Sequence, residues 1–479
     1  MRHLRSLYIA LVCIGLCLSN RPASAADAVD GSSFSLTILH TNDLHGHIFP
    51  FAYTESGRRK TEVASVGGAA RRATLIRKLR NTIKNPSIVV DSGDTFTRGP
   101  LTNAYEGIAD AEAMNAVGYD LAALGNNEFK AKDGIEDHDA KGAQAALLNV
   151  VKRSHFHWLC ANATDAAGAS LEGVLPYAVR EFNGVRVGFL GLTAPRVASY
   201  PQAVGWKIMD PIATAIRWIP IARRNCDILI AVTHIGVDLD KQLAAETTGL
   251  DAIVGGDSHT FLYKAVEVNN PEGKKIPIVQ DGEFGVNLGR FDLRFTRASD
   301  GHWSLADYTY QLLPVDALTK EAPDVVAALQ RYLQPMLKVV GHIPAVGATP
   351  AERDTITNRI VVDALRLQTG SDFALNPGDS GFEVFRHKEV TLYDVCAILP
   401  FKNHIVTATL TGAEITRLTK LVENTVVSGD LKQIDPNRTY KVALVDYAAK
   451  SEYHIDRNKL VDTAINARDA VVAYLGTMR

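Results

Sequence analysis

Cysteine is scarce in this chain, with five residues among 479. Cys13 and Cys17 lie in an apolar N-terminal stretch, so Cys160, Cys226 and Cys396 are left and can form at most one disulfide. A disulfide-stapled scaffold is therefore excluded, and the fold must be stabilised by its hydrophobic cores. With 46% hydrophobic residues, a chain of this length is expected to form two or three domains.

The net charge is also close to zero, and long apolar runs are rare. Lys and Arg number 51 against 53 Asp and Glu, a formal net charge of -2, which favours neither nucleic acid nor an anionic membrane as a partner. Beyond the N-terminus no apolar stretch reaches transmembrane length, and there are no heptads, internal repeats or low-complexity tracts. We expect a globular protein, and its oligomeric state is left open.

The N-terminus is typical of an export signal. Arg2 and Arg5 precede an apolar run from Leu7 to Leu18, and Ala23-Ser24-Ala25 fits a small-residue cleavage site. The run is too short to span a bilayer. Residues 1–25 are therefore predicted to be a signal peptide, and the mature protein to be secreted, with the periplasm as its compartment.

Short apolar strands alternate with helical segments in the next part of the chain, which predicts an α/β fold with polar loops at the strand ends. Seven residues that can bind a divalent cation occupy five such loops: Asp43, His45, Asp94, Asn126, His234, Asp257 and His259. One strand-end aspartate is ordinarily a helix cap, and one histidine is ordinarily a core or surface residue. The set as a whole supplies a bridging carboxylate, Asp94, and further nitrogen and oxygen ligands, so it predicts a site for two divalent cations.

The loop sequences resemble those of the 5'-nucleotidase family of calcineurin-like metallophosphoesterases, in particular its secreted nucleotidases and nucleotide-sugar hydrolases. The resemblance is carried by TNDLHGH at 41–47, GGAAR at 67–71, DSGD at 91–94, LGNNEF at 124–129, THIG at 233–236 and GGDSHT at 255–260. It covers nearly the whole mature chain. It implies a four-layered α/β/β/α metallophosphoesterase domain at 33–315, a linker helix at 316–344 and a C-terminal α/β nucleotide-recognition domain at 345–479. Within the linker, the residue pattern predicts a helix from Lys320 to Val340.

The resemblance also implies ligand sets and a reaction. One cation would be bound by Asp43, His45, Asp94 and His259, and the other by Asp94, Asn126, His234 and Asp257. A metal-bound water would attack phosphorus in line, and the expected substrates are 5'-nucleotide phosphomonoesters. The alternatives are a 2',3'-cyclic nucleotide phosphodiesterase, a nucleotide-sugar hydrolase, a hydrolase of another anionic ester, and a metal- or ligand-binding protein without turnover.

Two motifs depart from the family at the catalytic centre. The family reads GNHEFD where this chain has Asn127 and Lys130, so its histidine–aspartate dyad is missing. We expect Lys130 to supply positive charge and Asn127 a hydrogen bond, and the alternative is a crippled enzyme. The family's GGHSH reads GGDSH, and Asp257 adds an oxygen donor, which favours Mn²⁺ over Zn²⁺, with Mg²⁺ and Ca²⁺ as further candidates.

The C-terminal part matches the family only in places. Arg353 fits one motif and Phe401 lies in another, LPFKN, where it is the expected base-stacking ring or, alternatively, a core aromatic. The family's NGGGIR reads NPGDSG from Asn376, so its arginine is missing and Arg386 is the nearest replacement. Tyr453 is the candidate for a second ring. The expected substrate-binding residues are Arg353, Asn376, Phe401 and Tyr453.

Overall fold

The computed structural model describes residues 32–53, 63–97, 99–130, 140–378 and 383–478. The predicted signal peptide lies outside these ranges. The strands are β1 (Ser33–Thr41), β2 (Phe51–Tyr53), β3 (Val63–Val66), β4 (Ser87–Asp91), β5 (Leu121–Ala123), β6 (His157–Leu159), β7 (Ala163–Thr164), β8 (Val174–Leu175), β9 (Tyr177–Phe182), β10 (Val185–Thr193), β11 (Lys207–Ile208), β12 (Ile228–His234), β13 (Ala252–Val254), β14 (Val266–Asn269), β15 (Lys275–Val279), β16 (Asn287–Arg297), β17 (Trp303–Pro314), β18 (Val339–His342), β19 (Phe373–Asn376), β20 (Glu389–Thr391), β21 (His404–Thr411), β22 (Val426–Ser428), β23 (Thr439–Val445) and β24 (Leu460–Asn466).

The helices are α1 (Ala69–Thr82), α2 (Pro100–Tyr105), α3 (Ile108–Val117), α4 (Ala140–Arg153), α5 (Pro211–Arg223), α6 (Val237–Glu246), α7 (Pro323–Leu333), α8 (Pro350–Thr369), α9 (Leu392–Ile398), α10 (Gly412–Leu421) and α11 (Ala467–Thr477). Shorter helical turns occupy Glu128–Lys130, Pro195–Ser199, Pro201–Ala203, Gln334–Leu337, Leu431–Gln433, Ala448–Glu452 and Arg457–Lys459.

Two sheets form the framework of the first domain. The seven-stranded sheet has the order β17-β16-β1-β4-β5-β6-β8, and the six-stranded sheet has the order β14-β15-β13-β12-β10-β9. Strands β1, β4, β5 and β6 run parallel, as do β10, β12 and β13. Strand β12, Ile-Leu-Ile-Ala-Val-Thr-His, is buried at every position, as expected of a parallel strand covered on both faces. The carboxyl ends of these parallel strands meet at one edge of each sheet.

Alternate residues of the strands pack into different cores, because successive side chains of a strand point to opposite faces. Ile38 of β1 joins Phe189 of β10 in a core between the two sheets. Leu39 packs with α1 and α3 on the outer face of the first sheet, and Leu229 packs with α5 and α6 on the outer face of the second. The expected four-layered α/β/β/α architecture is therefore confirmed.

The second domain is also α/β, as expected. Its five-stranded sheet has the order β22-β19-β23-β21-β24, and helices α8 to α11 contribute to a separate core. Helices α8, α9 and α10 each begin with a capping box, formed by the pairs Thr349 and Glu352, Thr391 and Asp394, and Thr411 and Glu414. Each pair satisfies backbone N–H groups that the helix itself leaves without a partner.

The predicted helix from Lys320 to Val340 is shorter in the structure. Helix α7 ends at Leu333, a turn containing Pro335 follows, and β18 begins at Val339. Proline has no N–H group to continue the helical ladder, which explains the early end. Helix α7 packs into the core of the first domain, whereas β18 pairs with β20 of the second. The segment thus connects the domains, and the exact domain boundaries remain predictions.

Helix α9 joins the two domains. Its residue Cys396 lies in the core of the first domain, and the Tyr393 ring lies 6.4 Å from that of Phe49, centroid to centroid. Cys160, Cys226 and Cys396 are buried free thiols, so the described residues contain no disulfide. Within the described ranges, no helix is both long and apolar enough to cross a membrane.

Candidate active site

The seven predicted metal ligands lie at the carboxyl edge of both sheets. Asp43 and His45 follow β1, Asp94 follows β4 and Asn126 follows β5, all in the seven-stranded sheet. His234 ends β12, and Asp257 and His259 follow β13, in the six-stranded sheet. Loops from two stacked sheets therefore converge on one place, which is why residues more than 200 positions apart, such as His45 and His259, are in contact.

Five of these residues have a backbone conformation that is rare without glycine. The φ angles are positive at Asp43 (51°), His45 (46°), Asp94 (57°), Asp257 (84°) and His259 (52°). Left-handed backbone at such residues costs on the order of 1 kcal/mol each and accumulates at functional sites. Backbone hydrogen bonds hold two of them in place, from Asp43 N to Gly93 O (2.8 Å) and from His45 N to Asp94 O (2.9 Å). The strain points to function.

Two groups of three donors are close enough to bind one ion each: Asp43, His45 and His259, and Asp43, Asp94 and His234. In the first group His259 Nε2 lies 3.2 Å from Asp43 Oδ1 and 3.1 Å from His45 Nε2. In the second group His234 Nε2 lies 3.2 Å from Asp94 Oδ1. Asp43 belongs to both groups, and Asp94 Oδ2 lies 3.8 Å from His45 Nε2, so the groups form one centre.

The three imidazoles present lone pairs to this centre. Nδ1 of His45 faces Phe96 O at 3.3 Å, Nδ1 of His234 faces Ser92 O at 2.7 Å, and Nδ1 of His259 faces a Glu283 carboxylate oxygen at 2.5 Å. A carbonyl or carboxylate oxygen only accepts, so each Nδ1 donates its hydrogen and, when the ring is neutral, Nε2 carries the lone pair. Metal-binding histidines are ordinarily oriented by such a hydrogen bond from the ring nitrogen that does not bind the ion.

Two buried atoms of the centre also lack hydrogen-bond partners, Asp43 Oδ1 and His234 Nε2. An unsatisfied polar atom in a protein interior costs about 1–3 kcal/mol, and a divalent cation between these atoms would remove that cost. The residues present therefore fit a divalent metal.

The electrostatics of the centre favour positive charge. Burial disfavours a charged His259, but the neighbouring Asp43 and Glu283 carboxylates raise its pKa to about 10. Burial likewise opposes the charge of His234, and the Asp94 and Asp43 carboxylates nevertheless raise its pKa well above the ordinary value. A site that binds protons this strongly when no metal competes is one in which a cation can replace them.

Asn126 and Asp257 have a partner that the sequence did not reveal, Arg196. Its guanidinium donates from Nη1 to Asp257 Oδ2 at 2.9 Å, and from Nη2 to both Asp257 Oδ1 and Asn126 Oδ1. Arg196 lies in the turn Pro195–Ser199, directly after β10, which runs parallel to β12 with Thr193 opposite His234. Sites of this kind form from polar residues that follow buried parallel strands. Arg196 fits that pattern, but only once β10 is known to end at the same sheet edge as β12.

The predicted catalytic residues Asn127 and Lys130 are both buried, but they face different partners. Asn127 donates from its backbone N to Asp94 Oδ1 (2.8 Å) and from Nδ2 to Asp94 Oδ2 (2.5 Å). Lys130 Nζ lies 4.0 Å from the centroid of the Tyr200 ring. Asn127 therefore orients the expected bridging carboxylate, whereas Lys130 forms a cation–π contact, and Arg196 is the cation that reaches the ligands.

The second domain contains a cavity of about 370 Å³ that two of the four expected substrate-binding residues line, Asn376 and Phe401. Tyr447 lines it as well. Tyr453 does not: it is only 1% exposed and packs in the domain core, with its hydroxyl 3.1 Å from Thr425 Oγ1. Arg353 is also outside the lining and donates to Ala348 O at 3.3 Å. The aromatic pair of the cavity is therefore Phe401 and Tyr447.

A cleft of about 300 Å³ lies between the two domains. His47 and Phe51 of the first domain line it opposite Arg386 and His387 of the second, so the expected replacement Arg386 faces the loop that carries Asp43 and His45. Glu383 lines both the cleft and the cavity of the second domain. The cleft between the domains and the cavity of the second domain therefore adjoin at Glu383.

Comparison with known proteins agrees with this geometry. Residues 36–261 match the family model described as calcineurin-like phosphoesterase, and residues 339–420 match that of the 5'-nucleotidase C-terminal domain. The chain is 28% identical to the trifunctional nucleotide phosphoesterase protein YfkN of Bacillus subtilis, over 80% of this chain and 27% of that protein. It is 32% identical to the 5'-nucleotidase of Rattus norvegicus, over 55% of this chain and 47% of the relative.

Among solved structures, the 5'-nucleotidase precursor of Thermus thermophilus is similar, with a TM-score of 0.71 and 26% identity over 92% of this chain and 96% of that one. The matches to the two curated relatives cover less than half of the length of each.

Proposed function

This chain belongs to the calcineurin-like phosphoesterases and carries a 5'-nucleotidase C-terminal domain, and from this premise we propose that it hydrolyses 5'-nucleotide phosphomonoesters at a centre of two divalent cations. The observation that carries the proposal is the pair of donor groups that share Asp43, with three imidazole Nε2 lone pairs directed at them. The signal peptide expected at residues 1–25 would place the activity outside the cytoplasm.

Each residue of the centre has a role in the proposed reaction. Asp43, His45 and His259 would hold one ion, and His234, with Asn126 and Asp257, the other, with Asp94 between them. Bound divalent ions lower the pKa of water and neutralise phosphoryl charge. Asn127 keeps both oxygens of Asp94 oriented, and Asp257 and Asn126 supply oxygen donors that favour Mn²⁺ over Zn²⁺.

The cavity of the second domain supports a nucleoside as the group that is recognised. Phe401 and Tyr447 present rings on which a base can stack. No lysine or arginine occurs among the described residues that line the cavity, and its charged residues are all carboxylates: Asp354, Glu383, Glu423 and Glu452. Such a lining fits a neutral base and ribose better than additional phosphates, so we favour nucleoside monophosphates over nucleotide sugars.

The test is phosphate release by the metal-stripped protein after addition of Mn²⁺, Mg²⁺ or Zn²⁺. Substrates are 5'-nucleotides, 2',3'-cyclic nucleotides, nucleotide sugars and an aryl phosphate. We expect the highest kcat/KM with Mn²⁺ and a 5'-nucleotide. His259→Gln should lose about 100-fold or more, because both a metal ligand and its hydrogen bond to Glu283 are removed. The matched control is His342→Gln, since His342 pairs with Glu389 on the surface at 3.5 Å. Preference for cyclic nucleotides would reassign the substrate, and metal binding without turnover would refute the enzymatic proposal.

A further inference from the structure

Arg196 binds two of the residues that the proposed function assigns to the second cation. Its planar guanidinium donates hydrogen bonds to both carboxylate oxygens of Asp257 and to the side-chain oxygen of Asn126. Asp257 Oδ1 also lies 3.4 Å from His234 Nε2, which is a third ligand of the same position. A positive charge of the chain itself therefore lies against the oxygens that a second ion would use.

The first cation position is supported differently. Asp43 Oδ2 accepts hydrogen bonds from Asn42 Nδ2 (2.7 Å) and from the backbone N of Asp257 (2.8 Å). His259 Nδ1 is backed by the Glu283 carboxylate, which increases the basicity of the ring. This support comes from neutral donors and a carboxylate, so it favours a cation instead of competing with one.

The side chain of Arg196 is able to move away. It is 47% exposed, whereas the Asp257 side chain is 11% exposed. Arg196 lies on a surface turn that Pro195 begins, so the backbone position is defined while the long side chain can extend into solvent. A ligand that binds Asp257 and Asn126 more tightly than the guanidinium does can therefore displace it.

We propose that Arg196 competes with the second divalent cation, so that the two positions of the centre fill with unequal affinity. The inference rests on the proposed two-cation centre and names the residue that separates the two affinities. An ion entering the second position must break a charge-assisted, two-pronged hydrogen-bonded pair. It must also approach a like charge until the guanidinium has left. The first position has no such requirement.

The experiment is a Mn²⁺ titration of the metal-stripped full-length chain. Stoichiometry and affinities come from calorimetry and from elemental analysis after dialysis, and electron paramagnetic resonance detects the spin-coupled signal of two neighbouring Mn²⁺ ions. Arg196→Gln is compared with the unmodified chain. The matched control is Arg186→Gln, because Arg186 also forms a forked pair, with Asp227, and its side chain has the same 47% exposure.

In the unmodified chain we expect the second Mn²⁺ to bind about tenfold or more weaker than the first, a gap of about 1.4 kcal/mol or more. Arg196→Gln should close most of that gap without changing the first affinity, so the spin-coupled signal should develop at a lower Mn²⁺ concentration. Arg196→Lys, which keeps the charge but loses the forked pair, should close the gap only in part, and Arg186→Gln should retain it in full. Circular dichroism confirms that each variant is folded.

Three outcomes would overturn the inference. Equal affinities in the unmodified chain would show that Arg196 is no obstacle. If Arg196→Gln binds the second Mn²⁺ with unchanged or lower affinity, Arg196 supports the site by orienting Asp257. Binding of one ion only, in both proteins, would show that another feature limits the second position. Absence of any Mn²⁺ binding would contradict the proposed metal centre itself, so the two failures are distinguishable.

Discussion

At the scale of single residues, no one residue replaces the missing histidine–aspartate dyad. Its expected roles fall to three residues: Asn127, Lys130 and Arg196. Asn127 donates two hydrogen bonds to Asp94, and Lys130 forms a cation–π contact with the Tyr200 ring. Arg196 brings a permanent positive charge to the same loops. The chemistry that depends on positive charge near a transferring phosphoryl group is therefore expected to depend on Arg196 more than on Lys130.

Asn127→Ala and Lys130→Met should consequently differ in effect. Asn127→Ala removes a side-chain hydrogen bond to Asp94, the carboxylate proposed to lie between two ions. Losing a partner that orients a metal ligand lowers metal affinity or activity about 10- to 100-fold. Lys130→Met keeps an unbranched apolar side chain against Tyr200 and removes a cation–π contact worth about 0.5–2 kcal/mol of stability, so kcat/KM should change by less than about threefold. Steady-state kinetics with saturating Mn²⁺ measures both. A loss of about 100-fold in Lys130→Met would show that the ammonium acts on the substrate, as the sequence suggested.

At the scale of elements, the turn Glu128–Lys130 locks two of the ligand loops together. The Glu128 carboxylate accepts hydrogen bonds from the backbone N of Asp94 (2.9 Å), Thr95 (2.8 Å) and Gly125 (2.6 Å). The loop after β4 and the loop after β5 are thus held by one buried side chain. Gly125 allows this approach, because a Cβ there would collide with the carboxylate of Asp94.

Glu128→Gln tests that lock. The amide has one accepting oxygen, and its NH₂ group would face backbone N–H donors, so at least one buried donor loses its partner. Hydrogen bonds to charged groups contribute about 1.5–3 kcal/mol each, and we expect the free energy of unfolding to fall by about that amount. Urea unfolding monitored by tryptophan fluorescence measures the change, with the exposed Glu172→Gln as control. Stability equal to that of the control variant would mean that the loops are held by other contacts.

The elements that could be predicted from the sequence are those determined by residues close together in the chain. Buried strands such as Ala252–Val254 end in polar loops, and the loops bring Asp43, Asp94 and His234 together because the strands are parallel. Arg196 could not be predicted in the same way, because it follows β10, and the parallel pairing of β10 with β12 is a long-range property that local sequence patterns do not show. Tyr453 was misplaced for a similar reason, since its burial depends on packing against the second domain's core.

At the scale of the whole molecule, the proposed metal centre and the aromatic cavity belong to different domains, and residues of both domains line a cleft. In the proposed reaction the phosphate would lie at the metal centre and the base in the cavity lined by Phe401 and Tyr447, so the two ends of the nucleotide would contact different domains. Base recognition and phosphate chemistry should therefore be separable by mutation. In one-domain sites, where both ends of the substrate share the same loops, such a separation is not expected.

Phe401→Ala should raise KM for a 5'-nucleotide about tenfold, because stacking of a base on an aromatic ring contributes about 1–3 kcal/mol. Its kcat/KM for a small aryl phosphate, which does not extend into the second domain, should stay within about twofold, since the metal ligands are unaffected. Tyr453→Phe is the control, because the Tyr453 ring is buried outside the cavity and its hydroxyl forms a hydrogen bond with the Thr425 side chain. If Phe401→Ala impairs both substrates equally, the ring supports the fold of the domain and the base binds elsewhere. If it impairs neither, the nucleoside is not bound in this cavity, and the separation of recognition from chemistry across the two domains is wrong.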